Sequence, residues 1–188
     1  GRVEAERPWP GPSVVNGADA QPGGGRFGHW RIETEGEMPP AEMGMAMAYH
    51  EKLGGIVLFG GTMRAGNEAK KLDETWLRKD GKWQRLFADG TAPQPRDYAA
   101  MVYDSKRGVI VLYGGRGARG ALHDLWELDA NGWKQCTPTN FAKEARVGAS
   151  LVYDSHREVC VLIGGLGVGS GNKTETRSDV LEWDGNDW

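Results

Sequence analysis

The chain lacks most of the features that would name a chemistry outright. Only two of its 188 residues are cysteine, Cys136 and Cys160. That is too few for a disulfide framework or a cysteine-rich metal site. No apolar run approaches the ~18 residues that a membrane helix needs, so no membrane span is expected. There is no excess of positive charge: 23 Lys and Arg stand against 26 Asp and Glu, a formal net charge of −3. A phosphate backbone finds no broad basic field here, and nucleic acid is not an expected partner. No segment keeps a helical period. The chain opens at Gly1 rather than at a methionine, so the lack of a recognisable export leader excludes no compartment.

What is abundant is glycine and tryptophan. The 29 glycines are about twice the usual share of ~7%. They follow no three-residue period, which excludes collagen. The eight tryptophans are foreign to disordered chains and call for a packed structure.

These two residue types mark an internal repeat. GIVLFGG ending at Gly61, VIVLYGG ending at Gly115 and CVLIGG ending at Gly165 are copies of one apolar run. The first glycine of each pair is Gly60, Gly114 and Gly164, giving steps of 54 and 50. Tyr49, Tyr103 and Tyr153 lie upstream in register, and Trp83, Trp133 and Trp188 lie downstream. Trp30 fits one step earlier. Each unit reads as four short strands. An alternating Tyr segment comes first, then the apolar run as a central strand buried on both faces. A third strand carries Trp76, Trp126 or Leu181, and a fourth starts at Trp83 or Trp133. Asp80-Gly81, Asn131-Gly132 and Asp184-Gly185 supply positive φ angles for the hairpin between the last two.

About 50 residues per four-stranded unit, a double glycine after an apolar strand and tryptophans beyond it resemble kelch repeats. YDSKRGVIVLYGG and DVLEWDGNDW are most similar to bacterial kelch proteins, many of them exported. The resemblance covers residues 28–188 and implies an all-β fold of kelch-type propeller blades. The expected blades are 42–88, 96–138 and 146–188. Residues 28–35 would be a fourth-type strand completing another blade, preceded by a Pro/Gly-rich arm over 1–27. Three blades fall below the roughly four to eight of known rings. Ring closure is therefore expected from more sequence, from a second copy making six blades, or from a different partner.

Catalytic patterns fail one by one. Gly115-Arg116-Gly117-Ala118-Arg119-Gly120 matches the dinucleotide fingerprint, but a strand rather than a helix follows it. The stretch before Asn172-Lys173-Thr174 breaks the P-loop pairing of Gly with Lys. His29, His50, His123 and His156 are not spaced as metal ligands and read as solvated surface residues. Cys136 and Cys160 take aliphatic positions of the repeat and read as buried free thiols. No cofactor and no metal are expected.

Binding is expected on inter-strand loops of one propeller face. One loop set precedes the first strands and holds Glu42, then Arg96-Asp97-Tyr98, then Arg146. In kelch adaptors, arginines at this place project toward the pore and capture acidic peptides, which the resemblance implies for Arg96 and Arg146. Structural salt bridges between blades are the other reading. The second set follows the double glycines and holds Arg64, Arg116, Arg119 and Arg177, a basic concentration in a net acidic chain. The expected function is a non-catalytic protein-binding or assembly module. The alternatives are an enzyme with a site at the pore and a structural subunit of a larger complex.

Overall fold

The structure, a computed structural model, describes residues 37–40, 42–87, 90–139, 144–168 and 174–188. All of them belong to one compact unit, Glu35–Trp188. The expected arm (1–27) and entering strand (28–35) lie outside the described residues.

Among the described residues there is no helix. In chain order, β1 (Glu42–Met43) leads into β2 (Ala46–His50) and β3 (Gly55–Phe59). A hairpin of β4 (Thr62–Ala65) and β5 (Glu68–Lys71) follows, then β6 (Thr75–Lys79) and β7 (Lys82–Leu86). The second unit repeats this with β8 (Ala100–Asp104), β9 (Val109–Tyr113), a hairpin of β10 (Arg116–Gly117) and β11 (Gly120–Ala121), β12 (Leu125–Asp129) and β13 (Gly132–Cys136). The third has β14 (Ser150–Asp154), β15 (Val159–Ile163), a hairpin of β16 (Leu166–Val168) and β17 (Thr174–Thr176), and β18 (Val180–Trp183).

Two antiparallel sheets, β2-β3-β6-β7 and β8-β9-β12-β13, are full four-stranded blades, and β14-β15-β18 is a third. Register repeats from blade to blade: Ile56 faces Arg78, Ile110 faces Leu128 and Cys160 faces Trp183. The expected central strands β3, β9 and β15 are indeed flanked on both sides. First strands of successive blades lie against each other, β2 with β8 and β8 with β14, so the blades fan around one axis in an open arc.

Apolar contact between blades forms the core. Val57, Phe59 and Leu77 of blade one meet Ile110, Leu112, Trp126, Leu128 and Trp133 of blade two. Val111, Tyr113 and Leu125 of blade two meet Cys160, Leu162 and Trp183 of blade three. Each side removes from water the face the other cannot cover alone. Both thiols are free, Cys160 buried and Cys136 half-buried. Burial pushes the Cys160 thiol up to about 12, which keeps it protonated.

Three sequence expectations need correction. The segments after the double glycines are not long loops but short hairpins, closed in blade one by the two-residue turn Gly66-Asn67 between Ala65 and Glu68. The Asn131-Gly132 turn sits one residue earlier than expected, because Asp129 pairs with Gly132 and leaves Ala130-Asn131 at the tip. Asp80-Gly81 does take the expected place, both at positive φ. His50 is not a solvated residue: it is fully buried. Its ring lies 5.1 Å from that of Tyr103, and its Nδ1 accepts a bond from the Leu53 N–H. Burial holds the imidazole below its usual pKa, so it stays neutral. The repeat explains this, since Asp104 and Asp154 cap the same turn from the same position.

Candidate functional site

The double glycines set the geometry. Gly60 and Gly114 have φ of +70 and +65, and a Cβ on either would lie 2.6 or 2.5 Å from the carbonyl oxygen of Arg96 or Arg146. Only glycine allows that approach. The closeness brings the segment before each first strand onto the hairpin after each double glycine. Met43 pairs with Thr62, Asp97 bridges Arg116, and Val147 bridges Leu166. The two loop sets therefore share one face.

Arg96 and Arg146 stitch the blades together. The Arg96 N–H donates to Leu72 O in blade one (3.1 Å). Its guanidinium donates to Asp124 Oδ1 and Oδ2 (2.7 Å each) and to Gly114 O (2.8 Å) in blade two. Arg146 repeats the arrangement one blade on. Its N–H donates to Leu122 O, and its guanidinium reaches Gly164 O and both oxygens of Asp179. Both arginines are buried. Planar, bidentate pairing suits a guanidinium at such a site. Burial opposes ionisation of Asp124, but Arg96 outweighs it and holds the carboxyl below its ordinary range. These guanidiniums are occupied by protein groups rather than presented to a ligand.

Glu42 takes the arginine's place in blade one, and Glu74 takes that of Asp124 and Asp179. Two carboxylates thus stand where the other blades have an ion pair. Burial first, and then the charge of Glu74, raises the Glu42 pKa to about 7.

Asp97 is a buried hub. It accepts bonds from Thr62 Oγ1 (2.7 Å) and Lys71 Nζ (2.6 Å) of the first hairpin, and from Arg116 Nε (3.0 Å) and NH2 (2.9 Å). Burial works against its charge, yet these donors hold its carboxyl far below the usual range. The hub fixes Arg116, whose guanidinium stands 5.4 Å from the centroid of the Tyr98 ring.

Tyr98 is the unusual residue. Its counterparts one blade either side are glycines, Gly44 (φ 69) and Gly148 (φ 66), yet tyrosine adopts φ 53 here. A left-handed backbone costs a bulky residue about 1–2 kcal/mol. Rim hydrogen bonds hold it there: Tyr98 N–H donates to Gly44 O (2.7 Å), and Gly148 N–H donates to Tyr98 O (2.9 Å). The ring packs over Gly44 and remains 37% exposed. At Gly148, a Cβ would meet nothing within 4 Å.

That vacancy opens a cleft of about 570 Å³ between blades two and three. Tyr98 and Arg116 form one wall; Val147, Gly148 and Leu166 the apolar part; Thr176 and Arg177 the other wall. Strained backbone, an exposed aromatic and two guanidinium groups on a hydrogen-bonded rim are the ingredients of a recognition site.

Residues 28–188 match the family model described as the KLHDC2/KLHL20/DRC7 Kelch-repeats domain. The chain belongs to the kelch-repeat family. Among solved structures it is similar to the one titled "Structure of YjhT", with a TM-score of 0.58 and 16% sequence identity. The match covers 80% of this chain and 45% of that one, so the chain spans about half the length of that protein. At this identity the likeness concerns the fold alone. None of the curated proteins matches the chain.

The kelch rim thus gathers Tyr98, Arg116 and Arg177 of the expected binding residues and sets Asp97 behind them. Arg64 and Arg119 are exposed elsewhere, Arg64 on β4 and Arg119 at the tip of the β10–β11 hairpin. Neither lines the cleft. Sequence reasoning missed the acids that engage Arg96 and Arg146. Their signal was present: Glu74, Asp124 and Asp179 recur two residues before the position of Trp76, Trp126 and Leu181. It also missed Thr62, which no repeat rule marks.

Proposed function

We propose that this kelch segment is a protein-binding module without chemistry of its own, and that the cleft between its second and third blades takes a short partner segment bearing an acidic residue. The convergence of Tyr98, Arg116 and Arg177 on one cleft carries this reading. Tyrosine and arginine beside an apolar floor are the residue types that supply most binding energy in protein recognition. Asp97 and the rim hydrogen bonds hold Tyr98 and Arg116 in place before binding, which reduces the ordering cost. The two arginines favour a carboxylate, and Val147 and Leu166 favour an apolar neighbour beside it.

Gly148→Tyr tests the reading. It copies Tyr98 one blade on, at a backbone position where tyrosine is already accommodated, and fills the cleft. Displayed peptides selected on the full chain are expected to carry acidic residues and to lose at least about tenfold in affinity, ~1.4 kcal/mol, in Gly148→Tyr and Tyr98→Ala. Peptides that bind both variants as tightly as the parent chain would sink the proposal.

A further inference from the structure

One backbone frame occurs twice along the inner rim, with different side chains hung on it. Tyr98 N–H donates to Gly44 O (2.7 Å), and one blade on Gly148 N–H donates to Tyr98 O (2.9 Å). The neighbouring bond repeats too: Arg116 N–H donates to Asp97 O (2.8 Å) and Leu166 N–H donates to Val147 O (2.9 Å). Tyr98 and Gly148 share the left-handed backbone, with φ of 53 and 66. In blade two this frame carries a ring. The Tyr98 ring lies over Gly44, where a Cβ would come 3.2 Å from its Cε2 and Cζ. The Arg116 guanidinium stands 5.4 Å from the ring centroid.

In blade three the same frame carries no ring. Gly148 stands for Tyr98 and Leu166 for Arg116, and a Cβ on Gly148 would meet nothing within 4 Å. Val147, Gly148 and Leu166 are the apolar floor of the cleft. Two cations border that floor. Asp97 accepts from Nε and NH2 of Arg116, and among the described residues NH1 has no partner. Arg177 lies across Gly167, where a Cβ would come 2.6 Å from its Nε. Leu122 lies across Gly117 at the same place in blade two, so the stem of Arg177 is held as a packed residue would be. An aliphatic side chain between these cations would strip water from them and return nothing. A ring covers the same apolar floor and offers its π face to a guanidinium.

On the reading that this cleft is the partner site, we infer that the partner segment brings an aromatic residue next to its acid, and that its ring takes, on Leu166 and over the rim at Tyr98, the seat that the Tyr98 ring takes over Gly44. The chain thus carries the template of its own ligand one blade earlier. The copied seat differs from the template in one way. Tyr98 has a Cβ where Gly44 has none, so the incoming ring lies a few tenths of an ångström further out. A ring on a separate chain has that freedom. The neighbouring carboxylate pairs with the NH1 end of Arg116, which Asp97 holds in place by the opposite edge.

The probes are the acetylated, amidated peptide Gly-Ser-Phe-Asp-Ser-Gly, its versions with tyrosine, leucine or alanine in place of phenylalanine, and its version with asparagine in place of aspartate. Each is titrated onto the full chain and followed by NMR at the Gly148 amide and the Leu166 methyl groups. The phenylalanine and tyrosine peptides should bind about fivefold more tightly than the leucine peptide. They alone should move the Leu166 methyl resonances upfield, through the ring current. If the acidic peptides bind but leucine matches phenylalanine, or the Leu166 methyl groups stay in place, the inference falls and the cleft remains a site for acids. If asparagine serves as well as aspartate, or no peptide moves the Gly148 amide, the cleft is not the partner site and both fall. The chain's own rings outside the described residues are tested as rivals. If Trp9→Ala, Phe27→Ala, Trp30→Ala or Phe141→Ala tightens binding of the phenylalanine peptide, that ring is the occupant and the inference is overturned.

Discussion

Glu42 offers the sharpest quantitative check, because the protein contains its own controls. Blades two and three hold a buried arginine against an aspartate at the place where blade one sets Glu42 near Glu74. The Glu42 pKa moves from the ordinary 4.5 to about 7. Taken whole, that displacement corresponds to about 3.4 kcal/mol. The side chain is only half-buried, and solvent screening reduces the effect to about 1–2 kcal/mol. The sign follows from proton counts. Below about pH 4.5 Glu42 is protonated in both the folded and the unfolded chain, and the full stability is present. Between about pH 4.5 and 7 the unfolded chain releases the proton and the folded one keeps it. Stability therefore falls across that window and the loss is complete above it. Glu42→Gln imitates the protonated form at every pH. Unfolding free energies from urea titrations of parent and variant should coincide at pH 4 and separate by about 1–2 kcal/mol in favour of the variant at pH 8. Taking the difference between the two proteins cancels the titration of all other groups. Glu42→Arg should also stabilise at pH 7, by restoring the pair that the sister blades have. A difference that does not change with pH, or a variant less stable than the parent at pH 8, would refute the reasoning.

Two further outcomes test the rim. Arg96→Met removes a buried guanidinium and leaves Asp124 without its bidentate partner; a loss of about 3 kcal/mol is expected, read as a melting temperature lower by roughly 6–12 °C. Gly114→Ala and Gly148→Ala share a positive φ, but a Cβ at the first meets the Arg146 carbonyl at 2.5 Å and at the second meets nothing within 4 Å. Gly148→Ala should thus cost only the backbone term of about 1–2 kcal/mol, with Gly114→Ala clearly worse by denaturation; equal losses would show that close approach is not what the double glycine serves.

Much of the fold was legible in the chain because blade structure is local. Apolar alternation, the double glycine and the Asp80-Gly81 hairpin act within one unit, and the register repeats three times, so each strand can be checked against two others. The hairpins after the double glycines escaped notice because Glu68–Lys71 and Arg116–Ala121 are polar or glycine-rich and carry no strand pattern of their own. They pair because the preceding segment of the same blade lies alongside. His50 was misread for a similar reason. Its residue type suggests solvent, and only the packing of Tyr103 from the next blade buries it.

The site divides along the same line. Arg96, Asp97, Tyr98, Arg116, Arg146 and Arg177 could be picked out as candidates from loop position and charge. Their division of labour could not. Arg96 and Arg146 are structural because Asp124 and Asp179, 28 and 33 residues further along, fold back onto them. Tyr98 and Arg116 line a cleft because Gly148 leaves space where another blade has a ring. The sequence by itself determined the repeat, the strands and the rim on which the candidate residues sit, since those follow from short-range pattern. Only the tertiary structure decided which charges are spent on one another and which side chains the described residues bury between blades, because both depend on side chains that meet across blades.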